Sequence, residues 1–183
     1  FAAHDLGKLN VAWQGWAHRW QKQVGRFHGG VDMSLPPEYM AAHTDFDPTD
    51  DQREAQRKLG KRPNHAGESA MAAADMLLEI VSENELLWRA ALTAIARHHH
   101  AATNGYQAFQ SHRAAATAFG EALAAVGLES EWGNRVWWSP GKGEDLSGLL
   151  VEFETRKPED VWLYYLVVRI LRLADQRSQI REA

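Results

Sequence analysis

Apolar residues in this chain recur at helical spacing, and strict apolar–polar alternation is scarce. That periodicity argues against a half-buried sheet and predicts an all-α fold. Leu9, Trp13, Trp16 and Trp20 fall at i, i+4, i+7 and i+11, one stripe of a helix over about 1–24, with a break expected after His4-Asp5. Further helices are predicted over 64–81 with Asn64 as cap, over 85–101, and over 111–126 with Gly127 as the stop. The last helix, 158–180, is apolar nearly all round from Val161 to Val168, the pattern of a central, buried helix. Two long irregular connections interrupt the bundle. The first, 25–63, carries Gly29-Gly30, Pro36-Pro37 and a run of aspartates, with room for a short helix near 51–59. The second, 129–157, carries Trp132, Trp137, Trp138 and Pro140 and has room for a hairpin. The 183 residues suit one domain spanning the whole chain.

Composition narrows the chemistry. With no cysteine there is no disulfide framework, thiolate nucleophile or cysteine-ligated zinc. A net charge of −4 argues against coating nucleic acid by charge alone. No apolar run approaches the roughly 20 residues of a membrane span, and no signal peptide precedes His4, so no membrane partner and a cytoplasmic location are expected. The chain opens on Phe1 rather than methionine, which predicts a natural start further upstream. What needs explaining is nine histidines.

Four places offer these imidazoles and their carboxylate neighbours to a cation. His4-Asp5 can ligate from a helix end, and Lys8, at i+4 and i+3 from the pair, shares their face; a lysine there can stabilise charge on a phosphate oxygen. The alternative is a surface turn. In Arg97-His98-His99-His100, His98 and His99 flank the buried face of the preceding helix, where a metal is a common strong partner; a polar surface patch is the alternative. His65 lies in the first turn of its helix, with Glu68 and Ser69 placed to orient it, although such a histidine also serves as a cap or core residue. Asp175 shares a face with Leu171 and Ser178; it needs a metal or a salt bridge to Arg172 or Arg177.

Taken together, the order His-Asp, His, His-His, Asp on a helical scaffold resembles the HD-domain metal-dependent phosphohydrolases. His4-Asp5-Leu6-Gly7-Lys8-Leu9 with Trp13-Gln14 and Trp16 is similar to the opening motif of the HD nuclease of CRISPR interference, Cas3. His65 with Glu68-Ser69-Ala70 resembles its second histidine motif, Ala94 to His99 its paired-histidine motif, and Leu173-Ala174-Asp175-Gln176-Arg177-Ser178 its terminal aspartate motif. The resemblance spans 4–178. It departs in two respects: the family's further histidine, upstream of the His-Asp pair, has no room in the three residues before His4, and no P-loop or helicase motif is present. The expected chain is therefore a nuclease subunit or an HD domain lacking its N-terminal segment.

The resemblance implies a compact HD-type bundle with two divalent metal ions. Asp5 bridges them, His4 and Asp175 hold one, and His65, His98 and His99 hold the other. Glu68, Ser69 and Ser178 support these ligands, and Lys8 stabilises developing charge. An imidazole-rich set favours manganese, iron, cobalt or nickel over magnesium, and paired cations suit phosphodiester hydrolysis. The implied substrate is single-stranded DNA, delivered by a Cas3 helicase domain or subunit recruited to a guide-RNA surveillance complex. Contacts to that strand are sought in the tryptophans of 132–138 and in Arg53, Arg57, Lys58, Lys61 and Arg62, although the basic run reads first as a solvated helix face. Two other functions fit the same residues: an HD phosphohydrolase acting on a nucleotide or cyclic dinucleotide, and a non-catalytic HD docking module. His18, His28, His43, His100 and His112 receive no role.

Overall fold

The computed structural model describes residues 2–42, 44, 46–47, 49–82, 84–152 and 158–181, with backbone alone at 2, 130, 159–160 and 175–181. The chain is all-helical. A 3-10 segment, Ala2–Leu9, leads into α1 (Val11–Val24), followed by α2 (Asp50–Leu59), α3 (Ala66–Ile80), α4 (Glu85–Ala96), α5 (Ala115–Ala125) and α6 (Pro158–Arg181). Short 3-10 turns at Gly25–Phe27, Ser130–Arg135 and Ser147–Leu149 fill the connections. Among the described residues the only β pairings are two isolated bridges, Asn10 with Ser111 and Gly105 with Asp145, so the second connection forms turns rather than a hairpin. Among the described residues, no helix is long and apolar enough to cross a membrane.

The break in the first segment falls at Asn10, five residues later than expected. Asn10 is extended (φ −77°, ψ 153°), and its side-chain oxygen accepts from the Trp13 N–H at 2.7 Å, which starts α1. Its amide nitrogen donates back to the Gly7 carbonyl. One buried side chain thus closes one helical segment and opens the next. Asn10→Ala is expected to lower stability by about 1–2 kcal/mol in a denaturant titration, with the m-value unchanged.

The tryptophan stripe organises one of two cores. Trp13, Trp16 and Trp20 are buried, and the first connection folds over them with Phe27, Met33, Leu35, Phe46 and Leu59. Polar ties fix that cover: Gln14 donates to the Ala41 carbonyl and accepts from its N–H, and the Trp16 indole donates to the Gly60 carbonyl at 3.0 Å. The other core joins the N-terminal segment, α3, α4 and α5 through Leu6, Ala73, Met76, Leu92, Phe119 and Leu123.

Helix boundaries shift where side chains compete for the ends. α3 is capped by His65 rather than Asn64, because the His65 carbonyl accepts the first helical bond, from Ser69 N–H at 2.7 Å. α4 stops at Ala96 instead of running to 101, and the His98 ring takes the freed Ile95 carbonyl. Residues 110–112 pair with 9–11 instead of beginning α5. The expectation for α6 is corrected. It packs on α4 with Leu171 buried, but Trp162, Tyr165, Leu166, Ile170 and Leu173 stand exposed along its other side, Trp162 at 73%. An all-round apolar sequence signals burial only if neighbours lie on both sides, and α6 is peripheral.

Candidate metal centre

Three pieces of chain meet at the start of α3. The N-terminal segment crosses it so closely that a Cβ on Gly7 would lie 2.2 Å from the His65 carbonyl oxygen. Ser69 locks the crossing: its hydroxyl accepts from Gly7 N–H at 2.8 Å and donates to the His65 carbonyl at 2.7 Å. This register brings Asp5 to His65, with Oδ1 at 3.3 Å from Nε2. The other carboxylate oxygen faces His4 Nε2 at 3.3 Å and Lys8 Nζ at 2.8 Å. The turn after α4 supplies the third piece. His98 and His99 rings lie 3.9 Å apart by centroid, and His99 Nε2 sits 2.9 Å from His65 Nε2. The His4 and His98 rings meet edge to face at 5.4 Å.

Five of the six expected ligands therefore converge: His4, Asp5, His65, His98 and His99. Asp175 and Ser178 belong to α6, but their side chains lie outside the described residues. Lys8 is tied to Asp5, to the Ala42 carbonyl at 3.3 Å, and lies over the Trp13 ring. Glu68 and Ser69 act on backbone: Glu68 accepts from Gln107 N–H at 3.2 Å, and Ser69 fixes the His65 carbonyl, so neither is seen bonded to an imidazole. His98 and His99 project from a tight turn rather than from the helix face inferred from periodicity.

The donors suit a cation. Ligand atoms of His65, His98 and His99 lie within 4.8 Å of one another. Two nitrogens held at about 2.1 Å from one ion, at a right angle, are about 3.0 Å apart, close to the 2.9 Å between His65 and His99. His98 carries the most specific sign. Its Nδ1 donates to the Ile95 carbonyl at 2.6 Å, which leaves Nε2 as the lone-pair nitrogen, and that buried Nε2 has no hydrogen-bond partner among the described residues. The Ile95 carbonyl is thus a functional group that no sequence pattern could have marked.

Electrostatics keep the set in ligating form. Burial alone would raise the Asp5 carboxyl, but the His65 hydrogen bond and the Lys8 and His4 charges hold it well below the ordinary carboxylate range. Burial lowers His65, against the pull of Asp5, and lowers His98. His99 is pushed down to about 3, first by desolvation of its inner side and then by the charges of His98, His65 and Arg62. The unfolded chain takes up protons as pH falls through about 6.5, whereas these three native imidazoles resist. The stability they confer is complete above that pH and is lost as pH falls toward their lowered values. In chelator, the melting temperature is expected to drop by at least about 3 °C between pH 7.5 and pH 5.5; a flat or rising trend on acidification would contradict this assignment.

The centre opens through His65 and His99 onto a cleft of ≈ 950 Å³. The basic run divides here. Arg57, Lys61 and Arg62 line the cleft, while Arg53 pairs with Asp50 and Lys58 with Glu54 on the solvated side. The tryptophans of 132–138 are elsewhere. Trp132 and Trp138 pack against the core, and the Trp137 indole donates to Asp75 at 2.6 Å. Asp75 is ten residues along α3 from His65, about 15 Å at helical rise. None of these tryptophans lines the cleft, and Trp137 is exposed away from it. Some unassigned histidines have local partners: His18 bonds the Tyr39 carbonyl, and His100 and His112 accept from Ala102 and Ala114 N–H. His43 lies outside the described residues. Compared with protein-family models, curated proteins and solved structures, the chain matches none of them.

Proposed function

We propose that the chain is a metal-dependent phosphodiesterase acting on single-stranded DNA. The observation that carries this is the convergence of His4, Asp5, His65, His98 and His99, from three separate segments, beside a buried His98 Nε2 that has no hydrogen-bond partner among the described residues. His65, His98 and His99 would hold one divalent cation. Asp5, with one oxygen toward His65 and the other toward His4, has the disposition of a bridging ligand to a second, which His4 would share. Manganese, iron, cobalt or nickel suits this nitrogen-rich set better than magnesium. When bound, such cations polarise a phosphoryl oxygen and supply a nucleophilic water at neutral pH.

The remaining roles belong to the chain. Lys8 holds Asp5 and places a positive charge beside the reacting phosphate. His65 and His99 form the edge past which substrate enters. The motif resemblance supports single-stranded DNA as the substrate, and with it a Cas3 helicase and a guide-RNA complex as partners. A net charge of −4 accords with delivery by such a partner rather than capture by charge.

The test is cleavage of circular single-stranded DNA in manganese, cobalt or nickel, with metal content measured on the same preparation. Cleavage with two cation equivalents per chain is expected. Hydrolysis of mononucleotides or cyclic dinucleotides with the circle left intact would replace DNA by a nucleotide substrate. A chain that binds no cation would instead be a docking module.

A further inference from the structure

We propose that Arg57, Lys61 and Arg62 form a phosphate-binding wall, which holds a phosphate flanking the scissile one and selects a phosphodiester chain over a single diester. The wall deepens the phosphodiesterase reading above and rests on it for the identity of the scissile phosphate. Its own support is separate.

All three cations line the cleft that opens at His65 and His99. The helix that carries Arg57 ends at Gly60, whose positive φ of 97° turns the chain so that 61–64 run along the cleft to His65. Two residues, Pro63 and Asn64, separate Arg62 from His65, so their Cα atoms, three steps apart, lie no more than about 11 Å from each other. The Arg62 charge is felt at both His65 and His99. The wall is also braced: Leu59 packs on the tryptophan core, and the Gly60 carbonyl accepts from the Trp16 indole.

Charge at the cleft opposes that of the whole chain. Against a net −4 overall, the lining has three cations and one carboxylate, Glu68, which is buried and bonded to Gln107 N–H. The lining also includes Thr103, Asn104 and Gln107, uncharged groups that do not repel an anion. Arg53 and Lys58, from the same segment, are engaged by acidic neighbours one helical turn away. Among the described residues, none of the three wall side chains makes such an ion pair. The Arg57 charge is felt at Glu54, but three exposed cations with no ion pair among the described residues, lining one concave surface, are an arrangement that a polyanion stabilises. A substrate with one phosphate, seated at the metal centre, leaves them unused.

The test is fluorescence anisotropy of a labelled 12-residue oligothymidylate in chelator at about 50 mM salt, so that binding is read without hydrolysis. Arg57→Ala/Lys61→Ala/Arg62→Ala is expected to weaken binding about tenfold. It should also flatten the slope of log Kd against log salt by about 2, at roughly 0.7 per phosphate contact on a single strand. Arg53→Ala/Lys58→Ala, which also removes cations from this segment, is expected to change Kd less than about twofold, since both side chains are already paired. All five side chains are exposed, so folding is not at stake. An unmodified chain that fails to bind the oligomer, a triple variant that binds as well, or equal losses in both variants would overturn the wall. Hydrolysis of thymidylyl-thymidine separates the two readings. Its cleavage by a chain whose oligomer affinity ignores the wall keeps the phosphodiesterase and discards the wall. Wall-dependent binding without any hydrolysis does the reverse.

Discussion

Asp5→Ala is expected to reduce cation-dependent hydrolysis by more than about 10²-fold. Partners that only orient metal ligands typically cost 10–100-fold when removed, and Asp5 stands closer than that: it faces His65, His4 and Lys8 at once. On the proposed two-cation reading, loss of Asp5 should also lower the bound metal from two equivalents toward one, measured by elemental analysis after gel filtration. Asp5→Asn separates charge from shape. It retains an oxygen but no negative charge, so it should bind cations more weakly and hydrolyse nearly as poorly. Full activity in either variant would remove Asp5 from the centre. A normal melting curve for Asp5→Asn alongside lost activity would show that chemistry, not folding, was affected.

Gly7→Ala should be the most damaging single-methyl addition in the N-terminal segment. The new Cβ would sit 2.2 Å from the His65 carbonyl oxygen and 3.0 Å from Glu68 Cβ, with backbone on one side and a helix on the other. The segment must lift away, which breaks the Gly7–Ser69 bond and draws Asp5 from His65. A cost of about 3 kcal/mol follows from overpacking of this kind, and cation affinity should fall at least about tenfold, as when a ligand's support is lost. Gly15→Ala is the matched control. Its Cβ meets nothing nearer than the Arg19 guanidinium at 3.7 Å, within α1, so replacement should leave stability unchanged or raise it by up to about 1 kcal/mol. Equal melting temperatures for the two variants would mean that the crossing is not tight.

The all-helical class was legible because the apolar period carries through the sequence, and the tryptophan stripe of α1 was legible for the same reason. The ligands were legible as residue types at suggestive spacing. Their geometry was not. His98 and His99 were assigned to a helix, since periodicity cannot see that the His98 ring would take the Ile95 carbonyl and help to end α4. The register of Asp5 on His65 depends on Gly7 and Ser69, which meet across 62 residues of sequence. α6 was misjudged because its apolar circumference says nothing about how many neighbours it has. The division of the basic run needed both the turn at Gly60 and the acidic partners of Arg53 and Lys58.

The donors of the centre sit on three stretches, around 4–5, 65 and 98–99, which no disulfide ties together, since the chain has no cysteine. A cation bound by all of them recognises the assembled chain and ignores the opened one. At a free concentration one hundred times its Kd, it adds about 2.7 kcal/mol to the cost of opening. Chelator would then do more than silence an enzyme: it would release the N-terminal segment from α3 and shorten the lifetime of the fold in protease. The same ion would act as both reagent and rivet.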